Sequence, residues 1–471
     1  MKTYAELLDA VTAKGGETVD AVDPATGEVI GKAAVESVAE LEAAIDRAEA
    51  AQPGWAALGD EERQAYLHRA ADAIKESAEA LAELLSREQG KPLNGPNARF
   101  EVGGCEVWTR TAADTPLPVE VIVDDESGYA EMHYRPLGVV GAISPWNWPM
   151  MISIWQIAPS LRMGNTVVIK PAETTSLSVR ALVAVMNQVL PEGVLNVVTG
   201  PGKVVGDALT KSPRISKIMF TGSTPVGKQI IEASAQNVTR LTLELGGNDA
   251  GIVLPDVDPA AIAEGLFWGA FINTGQTCAA LKRLYVHDSV YDAVVEELAK
   301  FAAQVPMGVG LSEENVLGPL QNRKQFDTVD RLVEAAKASG ARVVLGGDPD
   351  REAPGNFYPT TLVADIDPHN DLVVEEQFGP ALPIIRYTEL DEAIRLANEL
   401  EYGLGSSVWT QDRAQAMAVA ARLQAGTTWI NSHGGLHPMV PFGGAKHSGY
   451  GREFGVEGLK AVAEPHVISG R

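Results

Sequence analysis

The sequence predicts an α/β protein made of two parallel-sheet lobes joined near Gly246-Gly247, with a small separate β element. Three observations predict it. From Gly138 onward, short β-branched runs alternate with helical stretches, the pattern of parallel strands linked by crossover helices. A second alternating set begins near Ala250. Before both, residues 119–134 alternate apolar and polar side chains around Asp124-Asp125-Glu126-Ser127-Gly128, which reads as a β-hairpin.

The helices come first along the chain. Ser37-Val38-Ala39-Glu40 is a capping box that opens a helix through Ala51. Asp60 is expected to cap a longer helix, with Leu67, Ala70, Ile74, Leu81 and Leu84 at helical spacing and Gly90 as its stop. The first lobe's candidate strands are Val139–Ile143, Thr166–Lys170, Leu195–Val198 and Ile215–Phe220. Those of the second lobe include Gly251–Leu254, Arg283–Val286 and Thr427–Ile430, with helices over 289–305, 323–339 and 412–424. No internal repeat or low-complexity linker interrupts the order.

Composition narrows the function. The 471 residues are 45% apolar and 21% charged, as in ordinary globular proteins. A net charge of −24 argues against nucleic acid and anionic membranes as partners. Two cysteines make no disulfide framework, so a reducing compartment, the cytoplasm, is expected. No signal-like apolar run opens the chain. Residues 136–161 carry no charge and could span a bilayer by length alone. Pro145, Asn147, Pro149, Gln156 and Pro159 interrupt that stretch, so a buried strand, loop and helix explain it better.

The chemistry centres on Cys278, in Asn273-Thr274-Gly275-Gln276-Thr277-Cys278, which follows a helical run from Pro259 to Phe271. A small polar segment there can offer backbone amides to a thiolate and then to an oxyanion. The plain alternative is a buried core cysteine, the reading kept for Cys105. Glu244 ends an apolar strand before two glycines, where a carboxylate is expensive unless paired or functional. Partial burial would raise its pKa toward that of a general base; a strand-end glutamate in water is the alternative. Gly222–Gly227 follows a strand and opens a helix, with Ser223 or Thr224 as cap and Pro225 in the first turn. Amides there can hold a pyrophosphate, or the segment is an ordinary capped turn. Lys170-Pro171-Ala172-Glu173 ends another strand, where a carboxylate can take ribose hydroxyls or simply be solvated. Pro145-Trp146-Asn147-Trp148-Pro149 sets one amide among rigid apolar neighbours, where its N–H could face an oxyanion.

Together these segments resemble the aldehyde dehydrogenase superfamily, in its NAD(P)-dependent, non-acylating branch, over nearly the whole chain from about Val22 to His466. The resemblance implies that Cys278 is the nucleophile and Glu244 the base for deacylation. Asn147 and the Cys278 amide would form the oxyanion hole. It implies NAD as cofactor, with NADP the alternative. Lys170 and Glu173 would hold the adenosine ribose, and Gly222 and Ser223 would lie at the pyrophosphate. Ser144, Pro145, Trp146, Ala172, Gly202, Gly206, Phe220, Val226, Leu245 and Gly246 would complete that cleft. In Glu375-Glu376-Gln377-Phe378-Gly379-Pro380, Glu376 would bind the nicotinamide ribose and Phe378 would lie beside the nicotinamide. Pro441-Phe442-Gly443-Gly444 and Gly451-Arg452-Glu453 match late motifs, and Glu453 is an occasional alternative proton acceptor in such proteins.

By the same resemblance, Trp148, Met151, Ile152, Trp155, Thr277 and Phe442 would line an apolar substrate tunnel, which favours an aliphatic or aromatic aldehyde. Residues 432–440, with His433 and His437, fall where the family varies with substrate. The implied division is a Rossmann-like cofactor domain over 1–117 and 137–246, an α/β catalytic domain over 247–446, and an oligomerisation element over 118–136 and 447–471 that makes a homodimer or homotetramer. No metal is implied. The rival readings are a CoA-acylating relative, a cysteine hydrolase without redox chemistry, and a non-catalytic protein on this fold. Glu244 argues against the first, since thiol acceptance needs no hydrolytic base. The nucleotide motifs argue against the second, and the complete residue set against the third.

Overall fold

The computed structural model describes residues 2–471. The first lobe's six-stranded sheet runs in the order Gly449–Tyr450, Arg240–Glu244, Lys217–Thr221, Val139–Ile143, Thr166–Lys170, Leu195–Val197. Only the two-residue edge strand is antiparallel. In chain order the sheet starts in the middle, grows outward through Leu195–Val197, then returns to grow the other way from Lys217. That reversal leaves a crevice beyond the ends of Val139–Ile143 and Lys217–Thr221, the switch point where such sheets take ligands. Pro145-Trp146-Asn147 and Gly222-Ser223 follow those two strands.

The second lobe holds a seven-stranded sheet in the order Arg342–Leu345, Thr361–Ala364, Ala381–Tyr387, Leu281–His287, Asp249–Val253, Gly405–Trp409, Thr427–Ile430. It is parallel except for its first strand. Its inner strands Asp249–Val253, Leu281–His287 and Gly405–Trp409 are buried on both faces, which is why they read as continuous apolar runs. Only four residues, Leu245 to Asn248, separate the two sheets, so Glu244 ends one lobe where the other begins.

Residues 136–161 fold as expected: a buried strand, a loop, and the buried helix Pro149–Arg162. Among the described residues no helix is long and apolar enough to cross a membrane. The hairpin forms as Glu120–Asp125 and Gly128–Pro136, and Ala463–Gly470 adds a third antiparallel strand.

Several expectations need correction. The helix from Ser37 keeps its capping box but runs through Ala57. Asp60 is the first residue of its helix, not its cap; its carboxylate pairs with Arg162 instead. That helix ends at Glu76, and a second, Ala78–Gln89, starts after Ser77 and stops at Gly90, whose φ of +93° suits glycine. The segment 447–471 does not act as one element. Gly449–Tyr450 pairs with Arg240–Glu244 in the first lobe, and only Ala463–Gly470 joins the hairpin.

Candidate active site

Cys278 sits at the end of a strained turn. The helix Pro259–Phe271 gives way to Asn273, Thr274 and Gly275 with φ of 50°, 56° and 76°. Asparagine and glycine tolerate this region; β-branched threonine is strained there. A Cβ on Gly275 would lie 2.3 Å from the Gly379 carbonyl oxygen, so the close approach excludes any side chain. Such strain persists only where surroundings over-determine it. Thr274 Oγ1 donates to Gly318 O at 3.1 Å and accepts from Gly318 N at 3.0 Å. Gln276 Nε2 donates to Asn273 O at 3.1 Å, and its Oε1 accepts from Gln321 N at 2.8 Å.

The Asn147 loop is stitched to this turn. Asn147 Nδ2 donates to Gln276 O at 3.0 Å, Asn273 Nδ2 to Asn147 O at 2.9 Å, and Trp148 Nε1 to Thr277 Oγ1 at 2.9 Å. One amide and one thiol from different lobes are thereby held together. Both border a cavity of about 220 Å³, with Pro145, Trp146, Gly222, Ser223, Leu245, Gly246, Glu376 and Phe378 also in its wall. Trp146 and Phe378 meet edge to face across it, 5.4 Å between centroids.

Exposure distinguishes the two cysteines. Cys105 is fully buried, and burial pushes its thiol well up. Cys278 is part-exposed. Desolvation is the largest cause raising its pKa to about 12; Glu244, Asp249 and Glu376 push the same way and Lys282 opposes them. Lys282 Nζ donates to the carbonyls of Cys278 at 2.6 Å and Thr277 at 2.9 Å, and lies 3.5 Å from Glu376 Oε1. The thiol therefore needs a cation brought to this cavity, or a base, to ionise near neutral pH.

Glu244 is 3% exposed, and neither of its carboxyl oxygens has a hydrogen-bond partner. Burial raises its pKa well above the carboxylate range, and the negative charge of Glu453 raises it further. Glu453 is itself buried and raised, with Lys217 opposing the shift. The strand pairing Gly449↔Glu244 draws the two close.

The sheet-end motifs fall on two cavities: Gly222 and Ser223 border the one beside Cys278, and Glu173 borders a second of about 540 Å³. Glu173 Oε1 accepts from Gly202 N at 2.9 Å, and Lys170 Nζ donates to Pro171 O at 2.9 Å. Ser223 occupies the cap position of helix Thr224–Ser234 but makes no side-chain capping bond, and Thr224 Oγ1 donates to His447 O instead. The expected side-chain cap is absent, and Ser223 borders the cavity. The helix N-terminus is left uncapped, as an anion site needs.

A sequence model of the Aldehyde dehydrogenase family matches residues 11–468. The chain belongs to the aldehyde dehydrogenase family. It is an oxidoreductase that oxidises aldehydes to acids. It is 37% identical over 465 residues to phenylacetaldehyde dehydrogenase of Pseudomonas fluorescens, covering 96% of this chain and 92% of that one. It is equally 37% identical over 465 residues to glutarate-semialdehyde dehydrogenase of Pseudomonas putida, covering 98% and 95%. Among solved structures, PnpE in complex with nicotinamide adenine dinucleotide superimposes with a TM-score of 0.93 at 38% identity, over 98% of this chain and 95% of that one. An NADP-dependent enzyme of E. coli gives 0.94 at 34%, over 98% and 96%.

The aldehyde dehydrogenase brings Cys278, Asn147, Pro145, Trp146, Gly222, Ser223, Leu245, Gly246, Glu376 and Phe378 to one cavity, whose wall does not include Ser144, Lys170, Ala172, Glu173, Gly202, Gly206, Phe220 or Val226. Glu244 is not part of that wall; its neighbours Leu245 and Gly246 are. None of the six tunnel residues lines the 220 Å³ cavity. Trp148, Met151, Ile152, Trp155 and Phe442 are buried in one apolar cluster against which Cys278 packs, and Thr277 is tied to Trp148. Trp155 also borders a smaller cavity of about 20 Å³ with Trp108, Pro438 and Phe454. His433 is an anchor for its loop: its Nδ1 lies 2.9 Å from Ser407 Oγ and its Nε2 3.5 Å from Asp249 Oδ2. His437 is exposed. No group of three or more His, Cys, Asp or Glu among the described residues could hold a metal ion.

Sequence reasoning missed Lys282, Lys91, Glu101, Gln325 and Thr328. A cation four residues after Cys278 on an apolar strand was a usable signal for Lys282. Gln325 and Thr328, which border the cavity, come from a helix whose docking has no local signature.

Proposed function

We propose that the enzyme oxidises an aliphatic or aromatic aldehyde through a thioester on Cys278 that water hydrolyses, with NAD as cofactor. The observation that carries this reading is the meeting of a part-exposed thiol and the Asn147 amide on one cavity, whose wall includes Leu245 and Gly246, the residues that follow the buried carboxyl of Glu244. Cys278 Sγ attacks the carbonyl carbon. The developing oxyanion is held by Asn147 Nδ2 and the Cys278 backbone N–H. Glu244 takes a proton from the water that attacks the thioester, releasing the acid and the thiol. Holding nucleophile and carbonyl in one geometry contributes much of the rate.

The chain's own features fit a dinucleotide. The helix at Ser223 lacks a side-chain cap, and a Cβ on Gly222 would come 2.5 Å from the Phe220 ring, which would have to move to admit it. Lys170 and Glu173 would hold the adenosine ribose, Gly222 and Ser223 the pyrophosphate, and Glu376 and Phe378 the nicotinamide end. When bound, NAD⁺ supplies the hydride acceptor. Glu173 favours NAD over NADP by repelling a 2′-phosphate. The apolar cluster beside Cys278 supports an apolar substrate reached along Trp148, Met151, Ile152, Trp155, Thr277 and Phe442. The unpaired edges of the three-stranded sheet support a homodimer or homotetramer. A working free thiol suits the reducing cytoplasm.

NADH absorbance on mixing with NAD⁺ and an aldehyde tests the reading. Product should form with water alone and need no CoA. Cys278→Ala should abolish it, while Cys105→Ala should retain activity within a few-fold. Full activity in Cys278→Ala would end the mechanism.

A further inference from the structure

A buried ion pair that the proposed chemistry does not use lies against Asn147. Lys91 follows Gly90 just beyond helix Ala78–Gln89, and Glu101 is in helix Ala98–Asp114. Neither side chain has any exposed surface. Lys91 Nζ donates to Glu101 Oε2 at 2.5 Å and to the Asn147 carbonyl at 2.8 Å, and sits 3.6 Å over the Trp148 ring. The other oxygen, Glu101 Oε1, accepts from the amides of Met150 at 2.8 Å and Met151 at 3.1 Å, in the first turn of helix Pro149–Arg162.

The pair therefore grips residues 147–151 at both ends: a carbonyl by the ammonium and two helix amides by the carboxylate. The Asn147 carbonyl takes its second donor, Asn273 Nδ2, from the Cys278 turn. Two charges taken wholly out of water gain little net stability over a well-packed apolar pair. What they contribute here is position. The carboxylate satisfies a helix start that would otherwise be buried without partners, since Trp148 at the cap offers no side-chain bond. The ammonium reaches a carbonyl in a proline-flanked loop that no strand or helix ladder can hold.

We infer that Lys91 and Glu101 are positioning residues that fix the Asn147 peptide against the Cys278 turn, so that Asn147 Nδ2 points at the carbonyl oxygen of the substrate. This rests on the reading of Asn147 as an oxyanion donor. Their effect on the reaction then passes through Asn147, and removing Asn147 should make Lys91 irrelevant to the chemical step.

A double-mutant cycle on the NADH burst rate tests this, with Lys91→Met, Asn147→Ala and the pair together, at saturating NAD⁺ and aldehyde. Lys91→Met keeps the stem and removes the ammonium. A displacement of about 1 Å can slow such a step about 10²-fold, so the burst should slow roughly 10- to 100-fold. NADH affinity, read by fluorescence, should stay within a few-fold. In the Asn147→Ala background, Lys91→Met should change the burst by roughly twofold or less, the mark of residues acting as one unit. Glu101→Gln keeps an acceptor for the two helix amides and weakens the hold on Lys91. It should slow the burst by less than Lys91→Met, and it carries the test if that variant does not fold. Independent, multiplicative losses in the double variant would overturn the inference, as would an unchanged burst in folded Lys91→Met. An unchanged burst in Asn147→Ala alone would instead refute the oxyanion reading on which it rests.

Discussion

Replacing Glu244 with glutamine should split the catalytic cycle in two. In the proposed cycle acylation uses Cys278, the oxyanion donors and NAD⁺, and deacylation needs an activated water. Both Glu244 oxygens are buried without partners, so the amide loses no hydrogen bond and removes a charge that burial disfavours. Folding should survive. A carboxyl whose folded pKa is raised contributes stability below its unfolded pKa and loses it as pH rises through the folded value. Glu244→Gln should therefore gain stability relative to wild type on the alkaline side. Loss of a general base slows its step about 10²–10⁴-fold, roughly 3–5 kcal/mol of barrier. Stopped-flow mixing should show about one NADH per active site in a burst, then near arrest. Mass spectrometry should find the acyl group on Cys278 and not on Cys105. Glu453, close enough to raise the Glu244 pKa, gives the residual rate a route. Normal turnover with neither burst nor adduct would refute the reasoning. Loss of the burst itself would show that Glu244 also activates the thiol.

The same pair sets the pH response: kcat should rise toward alkaline pH as Glu244 ionises, and Glu453→Gln, by removing a neighbouring negative charge, should shift that rise to lower pH. A pH–rate profile unchanged in Glu453→Gln would contradict the coupling. Glu173→Gln should narrow the ratio of kcat/KM for NAD⁺ over NADP⁺; the cavity of about 540 Å³ beside it is bordered by Glu17 and Asp20 and by no lysine or arginine. A wild type that already prefers NADP⁺ would show the ribose assignment to be wrong. Sedimentation at micromolar concentration should find a dimer or tetramer, since Val121, Ile122 and Val467 of the three-stranded sheet stand 63%, 58% and 53% exposed. A monomer there would remove the hairpin from assembly.

Much of the site was legible because its parts are contiguous in sequence. Pro145-Trp146-Asn147, Gly222-Ser223 and the Cys278 turn each combine a strand or helix end with the residue types that such an end needs. Glu244 stood out as a carboxylate in an apolar strand. Less legible were features that depend on what packs opposite. The break at Ser77 falls within one unbroken helical period, because Leu67, Ala70, Ile74, Leu81 and Leu84 continue the apolar face across it. Trp148, Met151, Ile152, Trp155 and Phe442 pack in one apolar cluster beside Cys278, and in sequence apolar side chains read alike whether they line a tunnel or fill a core.

The sequence by itself determined the alternation of strands and helices, the boundary at Gly246-Gly247, the proposed nucleophile and the family, because periodicity, turn chemistry and short motifs are local properties of the chain. The tertiary structure alone decided that Lys282 stands behind the Cys278 carbonyl, that Glu453 crowds Glu244 through an antiparallel pair joining residues 244 and 449, and that Lys91 and Glu101 close on Asn147. The last two join segments far apart in sequence, whereas Lys282 is four residues from Cys278 and only its fold turns it back onto that carbonyl. Burial is what gives those contacts their electrostatic force, and no local pattern records which side chain will be buried against which.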